Sequence, residues 1–219
     1  MRARYLWILA LAVMLGGGAA RADDLNVGGS YNIIPLSTGD VGGGSITPST
    51  LNTAALSWLY CVDLYDTIPV PGDYNNTTTT SNGMVTEFNT PLGTSGGVVI
   101  NAGAVAWLLD HYATANIVNT NGQIALQAAI WHEIYGVGLN TGSGHYNSTI
   151  GTDYAAYLAA LGSNTDPLSN VLWFSPGKTG DGTVYQALVG SPVPDGGVTL
   201  LLLGGALVGL ETLRRRLHA

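Results

Sequence analysis

Cysteine occurs once in the 219 residues, as Cys61 within Trp58-Leu59-Tyr60-Cys61-Val62-Asp63-Leu64. Thiolate sulfur is strongly nucleophilic, but a free cysteine titrates near about 8.5, so a reacting one needs a neighbour that helps remove its proton. Exported chains usually carry cysteines in pairs. One alone suggests a free thiol, an intermolecular disulfide, or a sulfur joined to a group that is not cysteine. Two carboxamides are candidates for that last partner. Gln127 shares the apolar face of its segment with Ile124, Ala128, Trp131 and Ile134, where a buried amide must find hydrogen bonds. Gln186 stands between Val184 and Leu188 on the inward side of an expected strand. Taken singly, each glutamine reads as a satisfied polar group in a core.

Other chemistries lack a residue they need. His132-Glu133 begins a zinc-protease helix motif, but the position four after His132 is Gly136. His111 and His145 are scattered, so no metal and no cofactor is expected. Cys61 paired with His132 or His111 would make a cysteine hydrolase, yet no nucleophile elbow accompanies it. The glycine clusters have no following Lys-Ser/Thr to cradle a phosphate.

The two ends are expected to be sorting segments rather than domain. Residues 1–22 form a secretory signal: Arg2 and Arg4, an apolar run from Leu6 to Leu15, and a small-x-small cleavage site at Ala20-Arg21-Ala22. Residues 191–219 place Val193-Pro194-Asp195-Gly196-Gly197 before a hydrophobic helix over 198–213 and the cluster Arg214-Arg215-Arg216. That helix is shorter than the roughly 20 residues that span a bilayer comfortably, and its basic flank would stay cytoplasmic. The tail resembles the PEP-CTERM class of bacterial sorting signals in its VPD-type variants. The resemblance implies an exosortase-type processing enzyme as a partner, membrane contact through the C-terminal helix, and a Gram-negative envelope. Localisation at the outer surface or in extracellular matrix follows, with transient anchoring in the inner membrane.

Between the ends lies one domain, residues 23–190. Of the seven Lys and Arg residues, only Lys178 lies outside the two sorting segments, while Asp195 and Glu211 are the only two acids of fourteen in the tail. A surface so short of cations repels phosphate backbones, which excludes nucleic acid as a partner. Strands are expected at about 30–35, 56–64, 170–174 and 183–189, with a glycine-rich flexible loop after the first. A polar Thr- and Asn-rich loop is expected over 75–82. Helices are expected at 104–112, 123–135 and 153–161, the last two stopped by Gly136 and Gly162. Strands, then helices, then strands predict an α+β fold. It takes the form of a β-sandwich or barrel-like sheet scaffold with a helical insertion at about 103–162, plus an N-terminal signal helix and the C-terminal hydrophobic helix.

Three segments in order, Tyr60-Cys61-Val62-Asp63, Leu126-Gln127-Ala128-Ala129-Ile130-Trp131 and Val184-Tyr185-Gln186, resemble the motifs of the thioester domains of bacterial surface proteins. Tyr185 stands where an aliphatic residue is common. The resemblance implies that Cys61 and Gln186 form an internal thioester, supported by Gln127, Trp131, Tyr60 and Asp63. It implies a protein without turnover, not an enzyme, that attaches covalently to an amine-bearing surface or matrix ligand in adhesion or matrix cross-linking. The alternative is a non-covalent structural protein of the envelope or biofilm matrix with an inert buried Cys61. The cysteine hydrolase is a third.

Overall fold

The computed structural model describes residues 22–86, 89–90, 93–94 and 96–192. The signal segment up to residue 21, the sorting motif at 193–197 and the hydrophobic run at 198–213 lie outside the described residues. Among the described residues, no helix is long and apolar enough to cross a membrane.

The described residues form a mixed α and β fold, a nearly closed antiparallel sheet with three α-helices. The strands that matter here are β1 (Ala22–Val27), β2 (Ser30–Leu36), β3 (Gly39–Thr47), β4 (Ser49–Leu51), β5 (Ala54–Leu56), β6 (Leu59–Cys61) and β7 (Gly72–Thr80). Four two-residue strands follow, β8 (Met84–Val85), β9 (Asn89–Thr90), β10 (Gly93–Thr94) and β11 (Gly97–Val98). Helices α1 (Ala102–Tyr112), α2 (Thr120–Tyr135) and α3 (Ser148–Leu161) come next, then β12 (Leu172–Ser175) and β13 (Leu188–Gly190). The main sheet runs β5-β4-β1-β7-β12-β13-β6, so β6 is an edge strand. The β2–β3 hairpin packs between that edge and α2.

Three expectations are corrected. The Thr-rich stretch is not a loop: it is β7, hydrogen-bonded to both β1 and β12. Threonine is β-branched and suits a pleated strand, and fully buried Thr77 satisfies its hydroxyl by donating to the Tyr74 carbonyl at 2.8 Å. The glycine-rich segment after β2 is likewise a strand, β3. A Cβ on Gly43 would lie 2.9 Å from Trp131 Cη2 and 3.0 Å from Gln127 Cγ. These glycines therefore permit close packing of β3 against α2 rather than flexibility. The expected strand over 56–64 is divided between β5 and β6, with Ser57 N–H donating to the Ser191 hydroxyl at the break.

Helix α2 carries the central side chains. Asn119 caps its start by accepting from Gly122 N–H at 3.2 Å, and Gly136 ends it in the left-handed region at φ 71°. Ile124, Leu126, Ala128, Ile130 and Trp131 are all buried, so the helix is covered on nearly every side. A polar residue in its middle must therefore find partners in the protein.

Candidate functional site

Cys61 ends the edge strand β6 opposite Leu188 of β13. In an antiparallel ladder alternate residues turn their N–H and C=O away from the partner strand. At Cys61 both groups turn outward and meet one side chain. Gln127 Oε1 accepts from Cys61 N–H at 2.9 Å, and Gln127 Nε2 donates to the Cys61 carbonyl at 2.8 Å. The same Oε1 also accepts from Gly44 N–H at 3.2 Å. One carboxamide thus replaces the missing neighbour strand and ties β6, β3 and α2 together. Each of these groups is buried, so leaving one unbonded would cost about 1–3 kcal/mol.

With the main chain of Cys61 held, its side chain faces the second glutamine. Cys61 Sγ lies 3.2 Å from Gln186 Oε1, with the thiol as donor. Gln186 Nε2 donates to the Asp63 carbonyl at 2.5 Å, and its backbone N–H donates to the Thr67 carbonyl at 3.2 Å. The sequence places Gln186 in a strand over 183–189, but regular pairing begins only at Leu188. Residues 184 and 185 make isolated bridges to Lys178 and Thr67. The turn around Gly177 and Gly182, both at positive φ, carries this stretch off the ladder.

The thiol is 1% exposed and Gln186 7%. Burial, and next the negative charge of Asp63, push the Cys61 thiol well above its usual range. In the unreacted state the sulfur therefore keeps its proton at neutral pH, which is the form that donates to Gln186. The Asp63 carboxylate accepts from Tyr65 N–H at 2.9 Å and from the Tyr135 hydroxyl at 3.4 Å. Burial and then Asp63 also push the Tyr135 hydroxyl up, so it too remains a donor.

A cavity of about 370 Å³ opens onto this pair, with Cys61, Gln186 and Trp131 in its lining. Of the six side chains singled out from the sequence, five gather here: Cys61, Gln186, Gln127, Trp131 and Asp63. Tyr60 does not. Strand alternation turns it to the opposite face, its ring centroid lies 6.2 Å from that of Trp58, and burial with the proximity of Tyr157 raises its hydroxyl. Pattern reasoning missed Gly43, Gly44, Thr67 and Tyr135. The glycine run was the one signal available for the first two.

His132 turns its Nδ1 to the Val137 carbonyl at 3.0 Å and to the Tyr154 hydroxyl at 2.9 Å, and no histidine lines the cavity among the described residues. Asp110, His111 and Asp166 bring three possible metal ligands within 4.8 Å of one another at the surface, away from the cavity lining.

Residues 192–217 match the VPDSG-CTERM motif. Gly196 stands where the motif's name has a serine. The match is a C-terminal sorting motif, consistent with an exported, envelope-associated protein handled by an exosortase-type enzyme. It is confined to the tail and assigns no family to the domain ahead of it. No curated protein and no solved structure matches the chain.

Proposed function

We propose that the domain closes a thioester between Cys61 and Gln186 and uses it once, to attach the exported protein covalently to an amine-bearing surface or matrix partner. The observation that carries this is the 3.2 Å approach of Cys61 Sγ to the Gln186 carboxamide inside the fold. Three hydrogen bonds from Gln127 support it by fixing the main chain of Cys61 and the neighbouring Gly44.

In closure, Sγ bonds to Cδ of Gln186 and the C–N bond breaks. The thiol proton leaves on nitrogen, so thiol plus carboxamide gives thioester plus ammonia. The Asp63 carbonyl holds the departing nitrogen at 2.5 Å and so orients the amide plane toward the sulfur. Because the thiol ionises with difficulty where it is buried, closure draws on enforced proximity more than on a standing thiolate. Opening by an amine reverses the pattern: nitrogen bonds to Cδ, the C–S bond breaks, and one amine proton ends on Sγ. The product is an amide on Gln186 with a free Cys61 thiol.

Peptide mapping after methylamine treatment tests this. Gln186 should be recovered as its N-methylamide, with Cys61 newly open to alkylation. Unmodified Gln186 with Cys61 alkylated to the same extent before and after treatment would refute it.

A further inference from the structure

We infer that the cavity beside Cys61 selects the incoming amine, and that its substrate is a primary amine carried on an extended apolar stem. The inference rests on the Cys61–Gln186 bond proposed above and adds which amines reach it. At the liquid-water share of about 30 Å³ per molecule, 370 Å³ holds roughly a dozen heavy atoms. That is far more space than a small amine would fill. The walls that lead to the sulfur are Ile33, Val41, Ile46, Ile68 and Val70, drawn from β2, β3 and the segment after β6.

Among the lining residues there is one carboxylate, Asp66, and no Lys, Arg or His. Asp66 is next in sequence to Thr67, whose carbonyl receives the Gln186 backbone N–H, and both residues line the cavity together with Gln186. An alkylammonium entering here meets apolar walls and a single carboxylate among the lining residues. It must lose its extra proton to solvent before attack, because the free amine is the nucleophile. The amine then bonds to Cδ of Gln186 and the C–S bond breaks, with one amine proton passing to Sγ. An amine bearing a carboxylate at the far end of its stem would have to bring a negative charge to the apolar walls.

Each methylene buried along the walls should raise the opening rate by about fourfold. The test uses the secreted protein and follows adduct formation by intact mass, with methylamine, n-hexylamine and 6-aminohexanoate at matched free-base concentration. Hexylamine should react at least about tenfold faster than methylamine, and 6-aminohexanoate should fall well below hexylamine. Ile68→Asn should bring hexylamine down toward the methylamine rate, so that the ratio of the two rates falls. Equal rates for methylamine and hexylamine in the unaltered protein, or an Ile68→Asn protein that keeps the full preference, overturn the selection while leaving the thioester standing. A protein that shows no loss of ammonia before any amine is added overturns both.

Discussion

Gln127 lies midway along α2 with both ends of its amide bonded to main chain, whereas Gln186 lies in a stretch whose neighbours make only isolated bridges. Each is buried and each sits beside Cys61, yet they face different parts of it. Gln127 engages the N–H and C=O of Cys61. Gln186 faces its sulfur. A carboxamide that accepts two N–H bonds and donates a third holds structure together, because every one of those bonds is lost if it reacts. A carboxamide whose oxygen meets only a thiol and whose nitrogen meets one carbonyl can exchange its nitrogen with little disturbance to the fold. Under the proposed function the same side chain serves as a strut in one place and a reactant in the other, and the surrounding hydrogen bonds separate the two roles.

The difference can be broken by substitution. Gln127→Leu removes three hydrogen bonds from buried main-chain groups, at about 1–3 kcal/mol for each group left unsatisfied. Urea unfolding should show a loss of at least about 3 kcal/mol, with bond closure abolished as β6 loses its support. Gly43→Ala forces a methyl to within 2.9 Å of Trp131 and 3.0 Å of Gln127. It should cost about 1–3 kcal/mol by overpacking and slow closure without removing either reacting group. Measured against the amine-opened protein, which likewise lacks the crosslink, Gln186→Ala should cost only about 1 kcal/mol, the net worth of its hydrogen bonds, while eliminating closure altogether. If Gln186→Ala unfolds the domain as severely as Gln127→Leu, the contrast between strut and reactant fails.

The smallest effect concerns pH. In protein opened by an amine, the folded state holds the Cys61 proton more tightly than the unfolded chain does, because burial and Asp63 raise its pKa. Above about pH 8.5 the unfolded chain releases this proton and the folded chain does not, so stability falls as pH rises. Between pH 7 and 9 the opened protein should lose under about 1 kcal/mol more than Cys61→Ala, which has no thiol to titrate. Equal urea midpoint shifts for the two would show that the thiol is not buried as described.

How much was legible in the sequence depended on whether a residue's role was local. Helix α2 could be read because its apolar periodicity and the stop at Gly136 both lie within the segment itself. β7 could not, since its threonines suit a strand only once β1 and β12 are seen on either side of it. Gly43 reads as flexibility in the sequence because the tryptophan that crowds it is far along the chain. Cys61, Gln127 and Gln186 were drawn together by motif resemblance and not by periodicity. The register expected for Gln186 was too regular, because the turn at residues 177–182 diverts the chain before β13 begins. The cavity walls come from three separated segments, and no linear pattern marks them.

Intact mass of the secreted protein bears most directly on the account, because closure expels one ammonia, about 17 Da. The account predicts that deficit in the purified protein, and its absence in both Cys61→Ala and Gln186→Ala. A full unmodified mass, with Cys61 alkylated in the denatured chain before any amine is added, would contradict it.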